Sequence, residues 1–200
     1  GVKPLDLDWE VTDADMQFSM PIGLEMVNDV IMKPYAIDTD ISTDRLSDEN
    51  KESYLMLMDR EGEWMVNTLL KGFTQTLGGL VSSYSNTGDI ILTGKSRKDM
   101  KKAFQRMKEI GGGIVLVNEG EILFELPLSL GGVMADLPMR ELMKEEAKLK
   151  ECLLEHGFTF NDPVYTLLFL SSMHLPFIRI TPLGIMDVKK KEVLFPSIMR

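Results

Sequence analysis

Residues 110–136, IGGGIVLVNEGEILFELPLSLGGVMAD, constrain this chain more than any other stretch. Gly111, Gly112 and Gly113 lead into a short apolar run, GIVLV, and the turn centre Glu119-Gly120 separates it from a second run, EILFELPL. Two β-forming runs joined by a two-residue turn that ends in glycine read as a β-hairpin. The glycines at its start and the pair Gly131-Gly132 after it mark points where backbone turns sharply or packs closely against other backbone.

The flanking segments extend the same grammar. Residues 24–38, LEMVNDVIMKPYAID, read as extended structure broken near Pro34, whose missing N–H suits an edge strand or a bulge. Residues 41–51 are acidic and polar, a loop. YLMLM and WMVNTLLKGF flank the turn DREGE, with Gly62 suited to a positive φ, and so form a hairpin. LVSSYS and DIILTG flank Asn86-Thr87-Gly88 as another hairpin, following a bend at Gly78-Gly79. Ser96 opens a helix, and with Asp99 it approximates a capping box. Met100, Ala103, Phe104, Met107 and Ile110 recur at spacings of three and four, which gives one apolar stripe, and Gly111 is the stop. Pro138 opens another helix, with Asp136 as candidate cap, Leu142, Met143, Leu149, Leu153 and Leu154 as its apolar face and Gly157 as its end. Asp162-Pro163 begins a third, VYTLLFLSS, apolar all round. The tail reads as two extended pieces around Pro182-Leu183-Gly184. Alternating hairpins and helices predict an α/β (mixed α+β) fold: a mixed β-sheet built from hairpins, with helices packed on it. Residues 1–50 read as an extended lead-in and acidic loop, and residues 51–200 as the domain proper.

Several chemistries find little support. A net charge of -9 disfavours a nucleic-acid partner and an anionic membrane surface, so Lys98, Lys101, Lys102 and Lys108 read as a solvated helix face. The apolar stretch 164–180 is interrupted by His174, Pro176 and Arg179 and is too short to span a bilayer. The single cysteine, Cys152, excludes an internal disulfide and fits a reducing cytoplasm. The two histidines, His156 beside a helix stop and His174 beside Pro176, lack metal-ligand spacing. A phosphate-binding loop runs strand, glycines, helix. Gly111 to Gly113 follow a helix and precede a strand, so they read as a helix stop and tight packing. Gly131-Gly132 precede a helix by several residues and suit close approach to a ligand or a neighbouring domain. Residues 82–89, SSYSNTGD, are dense in hydroxyls and amides, which ordinary hairpin turns also favour. The absence of an initiator methionine reads as processing or as a piece of something longer.

Taken together, Lys71-Gly72-Phe73, DIILTG at 89–94, Gly111 to Gly113, ELPL at 125–128, GGVMAD at 131–136, Asp162-Pro163, and Leu175-Pro176 through Leu183-Gly184 carry a resemblance. From about residue 54 to about residue 193 the chain resembles the C-terminal domain of microbial adenine deaminases of the amidohydrolase superfamily. That resemblance implies an N-terminal amidohydrolase barrel in the same parent chain as partner, with a homo-oligomer as a further expectation. It implies that a divalent metal, manganese or iron, activates a water in that barrel to deaminate adenine, while this chain supplies no metal ligand, cofactor or catalytic residue. Typical members carry a stretch of the form H-D-S-H-N where this chain reads Ser85-Asn86-Thr87-Gly88-Asp89, without either histidine. Ser85, Asn86, Thr87, Asp89, Gly131 and Gly132 are therefore the candidate substrate-binding or barrel-facing residues, expected in an exposed loop. The alternative is a stand-alone ligand-binding or oligomerisation module.

Overall fold

The computed structural model describes residues 3–170 and, beyond them, the backbone of residues 178–181, 184–187, 192–196 and 198–199. The elements are β1 (Ile22–Met26), β2 (Met32–Ala36), β3 (Glu52–Met58), β4 (Trp64–Lys71), β5 (Gly79–Ser82), β6 (Ile90–Gly94), α1 (Arg97–Glu109), β7 (Gly113–Asn118), β8 (Glu121–Pro127), α2 (Met139–Glu155) and α3 (Pro163–Phe169). Four strands follow: β9 (Ile178–Thr181), β10 (Gly184–Asp187), β11 (Glu192–Pro196) and β12 (Ile198–Met199). One sheet has the order β2-β1-β4-β3-β6-β5-β7-β8, with β12 also paired to β4; β9, β10 and β11 form a separate sheet. The β1–β4 pairing is parallel and the others in the large sheet are antiparallel, so the sheet is mixed.

All residues of β3, β5 and β6 are buried. Alternate side chains of β3 serve opposite faces: Leu55 and Leu57 join one core, Tyr54, Met56 and Met58 the other. The first core is closed by Leu149 and Leu153 of α2 and Leu167 of α3. The second is closed by Met100, Ala103, Phe104 and Met107 of α1, together with Leu7, Val11, Met16, Phe18 and Met20 of the N-terminal segment. Each such side chain contributes about 1.5–3 kcal/mol on burial.

Hairpins β3–β4, β5–β6 and β7–β8 form as expected, the last turning at Glu119 (φ 51°) and Gly120 (φ 81°). Helix α1 begins as expected, with Ser96 Oγ accepting from the Asp99 amide at 3.2 Å. The second half of the capping box is absent. The Asp99 carboxylate accepts instead from the amides of Glu119 (2.9 Å) and Gly120 (3.0 Å), and so fastens the hairpin tip to the helix.

Three expectations are corrected. The break in 24–38 lies at residues 27–31, where Asn28 Oδ1 accepts from the amides of Val30 (2.9 Å) and Ile31 (2.8 Å). Pro34 itself sits inside β2, the sheet's edge strand, the setting its missing N–H was expected to suit. Asp136 does not cap α2: the cap position is Pro138, with no side-chain bond, since Pro138 lies between Asp136 and the first free amides. Of the expected apolar face of α2, only Leu149 and Leu153 are buried; Met143 (62% exposed) and Leu154 (48%) are not. The lysines of α1 are partly engaged: Lys101 pairs with Asp13 at 2.8 Å and Lys108 Nζ donates to Trp9 O at 2.7 Å, holding the N-terminal segment. Pro182, Leu183, His174 and Pro176 lie outside the described residues.

Lys95, wholly buried after β6, donates to Ser47 O (2.6 Å), Asn50 O (2.8 Å) and Asn50 Oδ1 (3.2 Å), and so anchors the acidic loop.

Two predictions follow from this packing. Gly113 has φ +148°, and a Cβ there would stand 2.2 Å from Leu126 O. Gly113→Val should lower stability by about 3 kcal/mol or more, against a near-silent Lys102→Ala control; thermal melts that match between the two would remove the packing account. Burial pulls the Lys95 ammonium down to about 8, with Asp48 and Glu52 opposing. The unfolded chain keeps that proton to about 10.5, so between these values it binds more protons and stability rises with pH. From pH 8 to 10 the melting temperature of the wild type should therefore gain on that of Lys95→Met; parallel curves would contradict the assignment.

Candidate functional site

One end of the large sheet gathers the β3–β4 turn, the loop after β5, the start of β7 and the turn after β8. The residues that hold them together are Arg60, Ser83 and a set of glycines. The guanidinium of Arg60 donates through Nη1 to Gly131 O (2.7 Å), through Nη2 to Ser83 O (2.9 Å) and through Nε to Gly88 O. A planar cation with donors on several edges suits this task, because it satisfies three separate carbonyls from one position. The Arg60 carbonyl in turn accepts from Trp9 Nε1 at 2.7 Å.

Ser83, fully buried, closes the inner part of the junction. Its Oγ donates to Gly132 O (2.5 Å) and accepts from the Gly113 amide (2.8 Å), while its amide donates to Gly113 O (3.0 Å). Gly112 lies so close to Gly132 that a Cβ on Gly112 would stand 2.7 Å from the Gly132 Cα. Any side chain at position 112 would block that approach. The two glycine clusters of the sequence thus meet: Gly112 leaves room for Gly132, and a Cβ on Gly132 would crowd Arg60 Nη1 at 3.1 Å and Leu5 at 3.2 Å.

The loop carries the remaining candidates. Ser85 is buried, and its Oγ accepts from the Thr87 amide at 3.2 Å. Thr87 Oγ1 donates to Asp89 Oδ2 at 2.7 Å. The Asn86 amide donates to Leu168 O of α3 at 3.0 Å. Asn86 and Thr87 are exposed and Asp89 is half-buried. The expectation of an exposed loop therefore holds only at its tip; Ser82 ends the interior strand β5, and Ser83 and Ser85, which follow it, are buried too. Burial raises the Asp89 carboxyl above its usual range, with Asp59 adding to the rise and the Thr87 hydroxyl and Arg60 opposing it. Burial also lowers Arg60 from its ordinary value, opposed by Asp89.

The structure brings Gly131 and Gly132 against the loop of Ser85, Asn86, Thr87 and Asp89, through Arg60 and Ser83. Arg60 was not singled out from sequence, because DREGE reads as turn chemistry and nothing local marks its arginine as buried. His156 is not a ligand: its Nδ1 lies 3.0 Å from Thr76 Oγ1, and its carbonyl accepts from the amides of Gln75 and Thr76. Among the described residues no group of three or more His, Cys, Asp or Glu side chains is placed to hold a metal ion. Burial raises the Cys152 thiol, with Glu155 and Glu151 adding to the rise, which is the opposite of nucleophile activation.

A mixed sheet covered on both faces, with its loops locked by a carbonyl-binding arginine, defines an α/β domain. The chain belongs to the adenine deaminase C-terminal domain family, whose profile matches residues 29–192. It is 54% identical over its whole length to "Putative adenine deaminase YerA" of Bacillus subtilis strain 168, and 52% identical to a "Putative adenine deaminase" of Oceanobacillus iheyensis; it spans 34% of the length of each. It is 33% identical, over 63% of its length and 22% of the relative's, to "Adenine deaminase 2" of Carboxydothermus hydrogenoformans.

Arg60→Met leaves three carbonyls without their donor and should cost about 3 kcal/mol of stability. Hydrogen exchange should accelerate at Asn86 and Gly131 and stay slow at Val115 in β7. Arg60→Lys should recover only part, since one ammonium cannot span three acceptors. An unchanged melt in Arg60→Met would show that the junction does not depend on the guanidinium.

Proposed function

We propose that this chain is the accessory C-terminal portion of an adenine deaminase whose chemistry resides in the region preceding it. The observation that carries this reading is the family match together with coverage: the chain accounts for about a third (34%) of relatives named for that activity. In this reading the parent hydrolyses adenine to hypoxanthine and ammonia, and a divalent metal, manganese or iron, belongs to the preceding barrel. Among the described residues no group of three or more His, Cys, Asp or Glu side chains is placed to hold such a metal. The role of this chain is to pack on the barrel and help shape the mouth of its active site, with the tip of the 83–89 loop and the Gly131-Gly132 turn on the facing side.

Two features support that role. The loop is held by Arg60 and Ser83 from below, which leaves the Asn86 and Thr87 side chains presented outward on a fixed frame. The hydroxyls and amides at 85–89 keep hydrogen-bonding capacity without an imidazole. A cytoplasmic setting fits the single, half-buried thiol and the acidic balance. Among the described residues no helix is long and apolar enough to cross a membrane.

The test is direct. The 200-residue chain, supplied with manganese, iron or zinc, should release no ammonia from adenine above buffer, while a chain that also carries the preceding region should. Metal-dependent turnover by the 200 residues that survives repurification would overturn the accessory reading.

A further inference from the structure

Helix α2 is only half covered. At about 100° per residue, Leu142, Leu149 and Leu153 fall within an arc of about 40°, and this is the edge that meets the sheet and its first core. Met139, Met143 and Leu154 lie about 60°, 100° and 120° round the helix from Leu142, on one side of that arc. They are exposed: 70% for Met139, 62% for Met143 and 48% for Leu154. Just before the helix, Met134 (61%) and Leu137 (39%) are also exposed. Met134 lines the rim of a cavity of about 210 Å³ whose walls include Tyr84, Leu128, Leu142 and Leu149, with Glu146 as its carboxylate. Exposed apolar side chains beside an open apolar cavity mark an interaction site.

We propose that this surface, the cavity rimmed by Met134 with Met139 and Met143 beside it, is where the preceding region of the parent chain docks, an apolar side chain of that region entering the cavity. The assignment rests on the accessory-domain reading above and names its contact. Two observations choose the occupant. Roughly two thirds of the relatives' length lies outside the match, and the family's domain is C-terminal, so a large preceding body must meet this one. The chain also enters beside the cavity: Gly131 N donates to Lys3 O at 2.8 Å, and Leu5 N to Gly111 O at 2.7 Å. Whatever precedes Lys3 thus starts at the turn that carries Met134. A second copy is the weaker occupant, because chains of net charge -9 repel one another. Methionine suits the role, since its unbranched, polarisable side chain adapts to a partner's shape.

Methionine oxidation by dilute peroxide, read by mass spectrometry, tests this on the 200-residue chain and on the full-length chain with its preceding region. Oxidation at Met134, Met139 and Met143 should slow by about tenfold in the longer chain. Met56 and Met58, already buried, should resist in both. The double variant Met139→Gln/Met143→Gln should melt like the wild type as a 200-residue chain, and should re-expose Met134 in the longer one. Equal oxidation in both chains overturns the proposal. If that result comes with new amide protection elsewhere, for example at the exposed Ile122 and Leu123 of β8, the preceding region docks there and the accessory reading stands. If no surface of the domain changes, the accessory reading falls as well. Slower oxidation of the 200-residue chain with rising concentration would name a second copy as the occupant and overturn the proposal too.

Discussion

The structure depends on burying a sheet from both sides. A strand such as β3, with every residue buried, cannot be finished by one helical layer. One face is roofed by α2 and α3, the other by α1 and a long irregular N-terminal segment. The second roof explains why residues 7–20 matter. They carry no strand, yet Met16, Phe18 and Met20 are as buried as the helix they accompany. Their backbone polar groups must still be satisfied, and Asn67 does part of this by donating from β4 to the carbonyls of Asp15 (2.7 Å) and Gln17 (2.9 Å). An asparagine in the middle of a buried strand is here the receptor for an extended segment.

Two-sided burial also determines how charge enters the interior. Lys95 is withdrawn from water and Arg60 half so, and the hydrogen bonds of both run to backbone carbonyls, with Asn50 Oδ1 besides. Each spends its donors on carbonyl oxygens of loops. A carbonyl offers a partial charge without adding a second ion to be desolvated, so such a contact avoids the larger penalty of a buried ion pair. It also joins segments distant in sequence: Arg60 connects three loops, Lys95 connects the end of β6 to residues 47–50. Asp99 performs the complementary task for two free amides at the hairpin tip. Each charge stands where the backbone cannot satisfy itself through a strand or helix ladder.

That division marks what was legible in the sequence. Hairpin β7–β8, the hairpin of β3 and β4, and helix α1 were readable because their signals are local: glycine at the turns, serine at the cap, spacing of three and four. The edge setting expected of Pro34 is where β2 lies, but the break in 24–38 was placed at the proline because the turn at 27–31 is made by Asn28, whose side-chain bonds leave a weaker mark on the sequence. The apolar face of α2 was read as buried because a stripe shows that a helix has a face to cover, not that the cover is in the same chain. Arg60 was missed for a related reason. A turn arginine bordered by acids looks solvated, and only the meeting of three loops turns it inward. Conversely, the two glycine clusters were each noticed, but their joint purpose was visible only once Gly112 was seen against Gly132.

The uneven finish of the two faces has a functional consequence. The face under α1 is closed with care: its lysines pin the N-terminal segment, and its aromatic contact, Trp9 on Phe104 at 5.1 Å, seals the edge. The face under α2 is left with exposed methionines and an open cavity. Both lie on the same chain under the same pressure to hide apolar surface, so the difference calls for a cause at the second face alone. The hydroxyl-lined loop borders that face through Tyr84, whose phenol burial raises with help from Glu146 and Asp162. A rigid junction of Arg60 and Ser83 thus stands between the fully closed half of the domain and the half that remains open. Such a junction transmits position: a body pressing on the methionine rim would meet a turn whose glycine backbone is hydrogen-bonded to the same arginine that holds the loop at 83–89. In the proposed docking, the rim and the loop at 83–89 are joined through one guanidinium that donates to Gly131, Ser83 and Gly88.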